Sequence, residues 1–309
     1  MTRAQNIYVL GCGAIGLALA AHLADSGRNV IAVRTSTDEV PAGKILITVH
    51  TGEGVLKAHV ETVSLSQLSQ LSGIIVVTAK SYANKTIAAA LKERVVSGPL
   101  VIMQNGIGVE NLYRESGFPQ IFRCVLYTTG QIISKNVVTF RPIATSPIGP
   151  VKGKPSGLKQ CVETLSTRGF PFHSENDIQK HIWKKAIINS VFNTLCPLLE
   201  VDNGIFVRDA EVARLASEII AECLLLANAR NVSLSGSELM EQIMKISHGS
   251  RGVLISTLQD IENGRETEIE SLNLEMARIA SSMNPQINLT KTELLGRMVL
   301  AKSKLRISQ

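Results

Sequence analysis

The stretch VLGCGAIG at 9–16 restricts the fold of this chain more than any other part of its sequence. It overlaps an apolar, strand-like run, NIYVL at 6–10, and it opens an alanine- and leucine-rich helical segment that stops at Gly27. Glycines in the spacing Gly-x-Gly-x-x-Gly at such a junction allow a tight turn and a close approach of helix to strand. The pattern predicts the first strand–helix unit of a Rossmann-type sheet.

Strand and helix patterns then alternate through the first half of the chain. Valine- and isoleucine-rich runs predict strands at 29–34, 44–50, 55–63, 73–79 and 99–105, with helices at 82–95 and 156–168 and a short strand at 170–174. Apolar runs separated by helices are typical of a buried parallel sheet. The more alternating region 121–149 predicts added antiparallel strands, with RPIATSPIGP at 141–150 as a loop.

From Asp177 onward the periodicity is helical. The predicted helices are 177–195, 209–229, 236–247, 250–262, 266–282 and 290–304, with Pro197 and Pro285 as interruptions. A length of 309 residues also favours two cores over one. We therefore predict an α/β chain: a Rossmann-type, doubly wound nucleotide-binding domain over 1–175, followed by an all-α helical domain over 176–309.

The composition excludes several classes of function. The five cysteines are dispersed without a C-x-x-C pair, and the six histidines do not cluster with them, so neither a disulfide framework nor a metal site is predicted. The net charge of +6 favours anionic ligands, although a solvated basic surface explains it equally well. Basic residues form no dense run, which argues against nucleic acid as a partner.

The N-terminal apolar stretch Val9–Ala21 follows Arg3 and has some features of a secretory signal. Its three glycines fit the strand–helix junction better, and no apolar run reaches the roughly 20 residues of a membrane helix. We expect an unprocessed cytoplasmic protein that does not act at a membrane.

The glycine motif predicts a bound dinucleotide. Gly11 permits the turn, Gly13 lets a pyrophosphate approach the backbone, and Gly16 lets helix and sheet pack closely. Free N–H groups at the start of the helix then attract the phosphates. An ordinary tight turn would have the same spacing, but the flanking strand and helix favour the cofactor site.

The end of the second strand bears on which dinucleotide binds. Sheets specific for NAD place an acidic residue there for the ribose hydroxyls, whereas an arginine accommodates the 2′-phosphate of NADP. This chain has Arg34, followed by Thr35, Ser36 and Thr37, and its first acid is Asp38. We predict NADP(H), with a surface arginine at a strand end as the alternative.

Two later strand ends also carry polar side chains. GIIVVTAK ends in Lys80, and PLVIMQNGIG continues into Asn105. Ligands of open α/β sheets bind beyond the carboxyl ends of the strands, so these two side chains are candidates for the cofactor crevice. Taken singly, each is more often a capping or solvent-facing residue.

The helical segment IWKKAIINSVFN at 182–193 contains polar residues at a regular interval. Residues four apart on a helix are offset by about 40°, so Lys185, Asn189 and Asn193 share a stripe about 80° wide, whereas Lys184 lies about 100° away from Lys185. A lysine bordered by apolar surface is suited to proton donation. A solvated stripe on an amphipathic helix is the alternative that the spacing leaves open.

A second polar stretch, SRGVLISTLQDIENGRETEIESLN, occupies 250–273. Ser256 and Asp260 share a helical face, Asn263-Gly264 ends that helix, and Glu268 lies in the opening turns of the next predicted helix. Capping and surface charge around a helix–helix turn would explain the same residues.

Four motifs of this chain resemble those of the ketopantoate reductases (2-dehydropantoate 2-reductases), and the resemblance extends over nearly the whole chain. In chain order, the motifs are GCGAIG, QNGIG, WKKAIINSVFN and STLQDIENGRETEIE. The resemblance implies NADPH-dependent reduction of a small 2-oxo acid, 2-dehydropantoate, to pantoate for pantothenate and coenzyme A synthesis. As to assembly, we expect a monomer or homodimer.

The resemblance assigns roles to individual residues. Lys185 is the catalytic general acid, and Glu268 is the essential glutamate, which helps to position it. Substrate-binding residues are Asn105, Asn189, Asn193 and Ser256. Cofactor-binding residues are Gly11, Cys12, Gly13, Ala14, Ile15, Gly16, Arg34, Lys80, Asn105 and Glu268.

The chain also departs from the family pattern. Asn273 is followed by Leu274 where a glycine is usual, and Asn284 replaces the threonine of a Thr-Pro pair. These positions lie outside the matched catalytic residues, so they bear on the substrate more than on the reaction type. Two alternatives remain: reduction of another 2-oxo or 3-oxo acid, or a regulatory protein that senses NADP without chemistry, which has no need of Lys185 and Glu268.

Overall fold

The computed structural model describes residues 5–36, 41–115, 117–153 and 156–307. Its contacts divide the chain into two compact units. The first, the sheet unit, comprises Met1–Gln104 and Val109–Ile178. The second, the helical unit, comprises Asn105–Gly108 and Gln179–Gln309. The sequence pattern placed 105–108 in the first domain, yet by its contacts this short segment groups with the helices.

The sheet unit contains all of the strands found in the described residues. They are β1 (Asn6–Leu10), β2 (Val30–Arg34), β3 (Gly43–Thr51), β4 (Gly54–Ser64), β5 (Gln70–Val77), β6 (Val95–Ser97), β7 (Leu100–Ile102), β8 (Ile121–Cys124), β9 (Thr128–Ser134), β10 (Val137–Pro142), β11 (Ser146–Lys152) and β12 (Phe172–Ser174). Its helices are α1 (Ala14–Asp25), α2 (Asn84–Lys92), α3 (Asn111–Arg114) and α4 (Leu158–Leu165).

The strands form one sheet in the order β12-β11-β8-β7-β5-β1-β2-β4-β3-β10-β9, with β6 beside β5. Its centre is parallel, because β1 pairs in parallel with both β2 and β5, and β7 pairs in parallel with β5 and β8. The added strands of the 121–149 region pair antiparallel with one another, as predicted: β8 pairs with β11, and β9 pairs with β10. Their pairs with other strands are parallel, since β8 lies beside β7, β10 beside β3 and β11 beside β12.

The centre of the sheet is covered on both faces. Alternate residues of β1 point to opposite sides: Ile7 and Val9 pack in a cluster with α1 and α4, whereas Tyr8 and Leu10 pack in a cluster with α2 and Tyr113 of α3. A sheet buried on both faces needs the continuous apolar runs seen in the sequence. The predicted fold class, a Rossmann-type sheet domain followed by helices, is confirmed.

The helical unit contains α5 (Ile178–Leu199, which begins one residue before the boundary), α6 (Ala210–Ala229), α7 (Gly236–Gly249), α8 (Ser256–Glu262), α9 (Asn273–Ser281) and α10 (Thr290–Ile307). Side chains cap several of these helices. Asp209 accepts hydrogen bonds from two N–H groups of the first turn of α6. Glu222 of α6 does the same for α10, where its carboxylate accepts from the N–H groups of Lys291 and Thr292.

Four details differ from the sequence predictions. Ser146–Lys152 forms a strand rather than a loop, with Pro147 and Pro150 in it; the carbonyl of Pro147 still accepts a bond from the N–H of Val125. Pro197 lies inside α5, near its end, where the ring removes only one backbone donor. The helix predicted at 250–262 begins at Ser256, and the one at 266–282 is a 3₁₀ turn, Ile269–Ser271, followed by α9.

Two further findings concern the described residues as a whole. None of their helices combines the length and apolar character that crossing a membrane requires. Nor do their histidine, cysteine and acidic side chains form any group of three or more suited to a metal ion.

His22 on α1 lies in an aromatic cluster of the sheet unit. Its ring is 5.6 Å from that of Phe140 and 6.4 Å from that of Phe170, and the two phenylalanine rings stack at 4.5 Å. Burial lowers the pKa of His22, and the charge of Asp25 only partly opposes the shift. The folded protein therefore holds this imidazole in its neutral form more strongly than the unfolded chain does.

This shift predicts a pH-dependent loss of stability. At pH 8 His22 is neutral in both the folded and the unfolded state, so the two states bind the same number of protons there. Below about pH 6.5 the unfolded chain takes up the proton first, and the free energy of unfolding therefore falls. Each unit by which the folded pKa lies below the unfolded one is worth about 1.4 kcal/mol. Urea unfolding of wild type and His22→Gln between pH 8 and pH 5 measures this, and equal slopes for the two proteins would contradict it.

Candidate functional site

The glycine loop of the sheet unit has little room for side chains. Gly11 has φ +115°, and a Cβ there would lie 2.4 Å from the backbone nitrogen of Ala79. A Cβ on Gly16 would lie 1.9 Å from the carbonyl oxygen of Gly11. The Thr78 hydroxyl donates to that same carbonyl at 2.9 Å, which holds the end of β5 against the loop.

The middle glycine of the loop, Gly13, has open space instead. A Cβ built there meets no atom within 4 Å, and its φ of −79° suits any residue. Gly13 is the N-cap of α1, where no side chain caps the helix and no acidic residue occupies the first turn. The remaining loop residues Cys12, Ala14 and Ile15 are partly exposed. An uncapped helix start beside open space fits an anionic group such as a pyrophosphate.

Arg34, at the end of β2, lies beside this loop. Its guanidinium hydrogen-bonds the sulfur of Cys12. Burial raises the pKa of the Cys12 thiol, and the charge and hydrogen bond of Arg34 partly offset that rise. The structure therefore brings the predicted phosphate-binding arginine to the glycine loop. Thr37 and Asp38, also noted in the sequence, lie outside the described residues.

Lys80 follows β5, the strand next to β1. It is partly buried and forms the N-cap of a 3₁₀ turn, Ser81–Ala83, in which its carbonyl accepts from the N–H of Ala83. It belongs to the sheet unit together with the loop residues and Arg34.

Asn105, unlike Lys80, belongs to the helical unit. Its segment, Asn105–Gly108, contacts the 3₁₀ turn of the helical unit, where the N–H of Ile107 donates to the carbonyl of Ser271 at 3.0 Å. Gly106 has φ +103°, and a Cβ on it would lie 2.4 Å from the same oxygen. The N–H and hydroxyl of Ser271 both donate to the carbonyl of Glu268. Asn105 and Glu268 thus lie on two segments that Ser271 joins.

The polar stripe of α5 becomes more buried along the helix. Lys185 and Asn189 are partly buried, whereas Asn193 is 3% exposed. The side-chain oxygen of Asn193 accepts a hydrogen bond of 2.7 Å from the Thr257 hydroxyl in α8. Ser256, the preceding residue, is exposed at the start of α8. The structure brings Asn193 and the start of α8 together through Thr257.

Sequence reasoning missed the residues that support the predicted site. Thr257 and Ser271 are the main examples, because their importance depends on which distant segment they contact. Asn273, noted only as a departure from the family pattern, is fully buried, and its amide lies 3.3 Å from the carbonyl of Ser190 on α5. Asp260 pairs with Arg265 at 2.9 Å and so secures the end of α8. The adjacent Ser-Thr pair at 256–257 was the one local signal available.

Comparison with known proteins assigns the chain to a family. The model "Ketopantoate reductase PanE/ApbA" matches residues 7–153, and its C-terminal counterpart matches 177–302. The chain belongs to the ketopantoate reductase family. The recognition made from the four motifs is therefore confirmed.

Individual relatives agree with this assignment. A 2-dehydropantoate 2-reductase from Pyrococcus horikoshii is 28% identical over 97% of this chain and 98% of its own length. One from Archaeoglobus fulgidus is 26% identical over 88% of this chain and 89% of its own. The name of these relatives denotes an oxidoreductase.

Solved structures share the fold. A D-mandelate dehydrogenase with NADH and anilino(oxo)acetate superposes with a TM-score of 0.84 at 19% identity, covering 97% of this chain and 99% of the other. A ketopantoate reductase from Ralstonia eutropha has a TM-score of 0.82 at 22% identity, with the same coverage.

The contrast between Gly13 and Gly16 yields a prediction about this family member. Gly13→Ala should leave the free energy of unfolding unchanged but weaken dinucleotide binding by about 1.4–2.8 kcal/mol, roughly 10- to 100-fold, because its methyl group enters the open space. Gly16→Ala should instead cost about 1–3 kcal/mol or more in stability. Urea unfolding and cofactor fluorescence titration measure both, and unaltered binding by Gly13→Ala would contradict the proposed use of this space.

The Asn193–Thr257 bond yields a second prediction. Asn193→Ala should lower the free energy of unfolding by about 1–3 kcal/mol, since it leaves the buried Thr257 hydroxyl without its acceptor. Thr257→Val in the same chain should recover part of that cost. A double-mutant cycle by urea unfolding measures the coupling; effects that add within about 0.5 kcal/mol would contradict a structural role for the bond.

Proposed function

We propose that this protein is an NADPH-dependent 2-dehydropantoate 2-reductase that makes pantoate for pantothenate and coenzyme A synthesis in the cytoplasm. The observation that carries the proposal is the match of both halves of the ketopantoate reductase model, in order, over 7–153 and 177–302. The shared name of relatives that align over nearly the whole chain supports the same substrate.

The sheet unit supports the choice of cofactor. The open space at Gly13 and the uncapped start of α1 suit a pyrophosphate, and Arg34 beside Cys12 suits a 2′-phosphate near the same loop. We assign Gly11 to Gly16, Arg34 and Lys80 to NADP(H), with Asn105 and Glu268 as further cofactor contacts. Two solved structures of the same fold are named as complexes with NADH, so preference for the phosphorylated cofactor rests on Arg34.

The helical unit supports the chemistry. Bound NADPH supplies the hydride that reduces the C2 carbonyl of the oxo acid. In the proposed mechanism Nζ of Lys185 stabilises the developing negative charge on the carbonyl oxygen and then donates a proton to it. Glu268 helps to position Lys185. Asn105, Asn189, Asn193 and Ser256 are assigned to hydrogen bonds with the substrate's carboxylate and hydroxyl groups, although Asn193 already has Thr257 as a partner.

A second candidate is the reduction of a different 2-oxo acid by the same residues. The observation that favours it is the D-mandelate dehydrogenase structure, whose TM-score of 0.84 is slightly above that of the Ralstonia eutropha ketopantoate reductase. The departure at Asn273-Leu274 favours the same candidate, because it changes the family pattern while the matched catalytic residues are kept.

As to assembly, we propose a monomer or homodimer. One solved structure of this fold is named as a dimeric ketopantoate reductase from Staphylococcus aureus.

Steady-state assays of the purified protein test the function and the role of Lys185 together. We expect oxidation of NADPH in preference to NADH with 2-dehydropantoate, and slower turnover with other 2-oxo and 3-oxo acids. Lys185→Ala should lower kcat by about 10²–10⁴-fold, the usual contribution of a general acid, while NADPH binding stays intact. Nicotinamide absorbance measures turnover, and fluorescence titration measures binding.

Lys184→Ala is the matched control for this experiment. Lys184 is adjacent in sequence, also partly buried, and about 100° away around α5, so its loss should leave kcat close to wild type. An equal loss of kcat in both variants would contradict the assignment of Lys185 as the general acid. Faster turnover of another oxo acid would favour the second candidate, and NADPH binding without turnover of any acid would favour a sensor.

A further inference from the structure

A cluster of buried polar side chains lies at the carboxyl end of β7, beside the segment Asn105–Gly108. We call it the strand-end network; its members are Asn84, Gln104, Glu110 and Arg123. Each is 7% exposed or less, and all four belong to the sheet unit. Tyr113 borders the network, because its hydroxyl donates to Asn84. None of the four was among the residues predicted from the sequence, and none has a role in the proposed chemistry.

The network first holds the residue that precedes the segment, Gln104. The side-chain nitrogen of Gln104 donates to the carbonyl of Ala79 and to Asn84 Oδ1, both at 2.7 Å. Its own carbonyl accepts from Arg123 Nη2 at 3.1 Å. Both the side chain and the backbone of Gln104 are therefore fixed within the sheet unit.

The same network also holds the residues that follow the segment, Val109 and Glu110. The amide nitrogen of Asn84 donates to the carbonyl of Val109 at 3.2 Å. Arg123 Nη1 pairs with the carboxylate of Glu110 at 2.5 Å. Asn84 and Arg123 thus each contact both sides of the four-residue segment.

The middle of the segment is held by different partners. Ile107 donates to the carbonyl of Ser271, and Gly106 lies so close to Ser271 that a Cβ would not fit. Ser271 in turn donates twice to the carbonyl of Glu268. Asn105, proposed to bind substrate and cofactor, lies between the network and this turn in the chain.

The energetics favour a role in geometry over one in stability. A buried ion pair gains little over well-packed apolar residues of similar volume, because both charges lose their hydration. What Arg123 and Glu110 add is direction: charge-assisted hydrogen bonds fix orientation more tightly than apolar contacts do. Here those directed bonds reach Gln104 and Glu110, which flank a segment only four residues long.

We propose that the strand-end network is a positioning device that fixes the backbone on both sides of Asn105–Gly108 and thereby orients Asn105 for hydride transfer. The proposal rests on the proposed function, because Asn105 matters only if it meets substrate or cofactor. Residues of the network do not touch the reacting atoms; they act through the segment. A misplacement of about 1 Å at a reacting group is enough to reduce turnover about 100-fold.

Two variants and one control test this proposal. The double variant Glu110→Leu/Arg123→Met replaces the ion pair with apolar residues, and Asn84→Leu removes the bonds to Gln104 and Val109. Tyr113→Phe is the control, because it removes only the 2.9 Å bond from the Tyr113 hydroxyl to Asn84 and leaves both ends of the segment held.

The expected result separates positioning from stability. Both network variants should lower kcat about 10- to 100-fold with the oxo acid while the KM for NADPH stays near wild type. The melting temperature should stay near wild type in the double variant, because apolar residues can replace a buried ion pair at little cost. It should fall in Asn84→Leu, which leaves the buried Tyr113 hydroxyl without its acceptor. Hydrogen exchange by mass spectrometry should quicken in peptides that cover 105–109, because the N–H of Ile107 bonds to Ser271 less persistently. Tyr113→Phe should change neither kcat nor exchange.

Other outcomes would overturn the proposal. Wild-type kcat in a folded network variant would show that the segment needs no such support, as would an equal loss in Tyr113→Phe. Failure of both network variants to fold would make the network structural only. If wild-type protein reduces no oxo acid, the proposed function fails and the catalytic role of the network fails with it; exchange at 105–109 then still reports whether the network holds the segment.

Discussion

The absence of side chains where α1 meets β1 is the constraint on which the sheet unit depends. With a Cβ on Gly16 only 1.9 Å from the carbonyl of Gly11, any larger residue would separate the helix from the strand end. That carbonyl also accepts from Thr78, so the same atom ties the loop to β5. The start of α1 is consequently held against the central strands, with its free N–H groups facing the open space at Gly13.

Much of the fold was predictable because it follows from periodicity. The central strands are continuous apolar runs since both of their faces are buried, and the helices after Asp177 keep their period over many turns. Each error has an identifiable cause. Pairing with distant strands overrode the two prolines of β11. The segment 250–255 is irregular because it contains Gly252, whose φ of +75° lies outside the helical region. A proline near the end of α5 was read as a stop although it removes only one donor.

The candidate site was predictable to a smaller degree. The spacing of residues was sufficient in two places. It indicated the glycine loop as a phosphate site, and it separated Lys185 from Lys184 by their positions around the helix. Arg34 and Cys12 come together only because β2 lies beside β1. Thr257, Ser271 and the strand-end network depend on contacts between segments far apart in sequence, and no local pattern records such contacts. For the same reason Asn193 was read as a substrate ligand, although its buried bond to Thr257 also gives it a structural role.

The placement of Asn105–Gly108 in the helical unit has a consequence for how this chain can be divided. No single cut separates the two units, because the chain enters the helical unit after Gln104, leaves it after Gly108 and enters it again after Ile178. A fragment that ends at 178 would retain these four residues but lose the Ser271 carbonyl to which Ile107 is bonded. The two halves that the sequence pattern delimits are therefore not interchangeable modules. In a chimera joined at their boundary, the helical half taken from another protein would need a turn that packs against Gly106 as Ser271 does here.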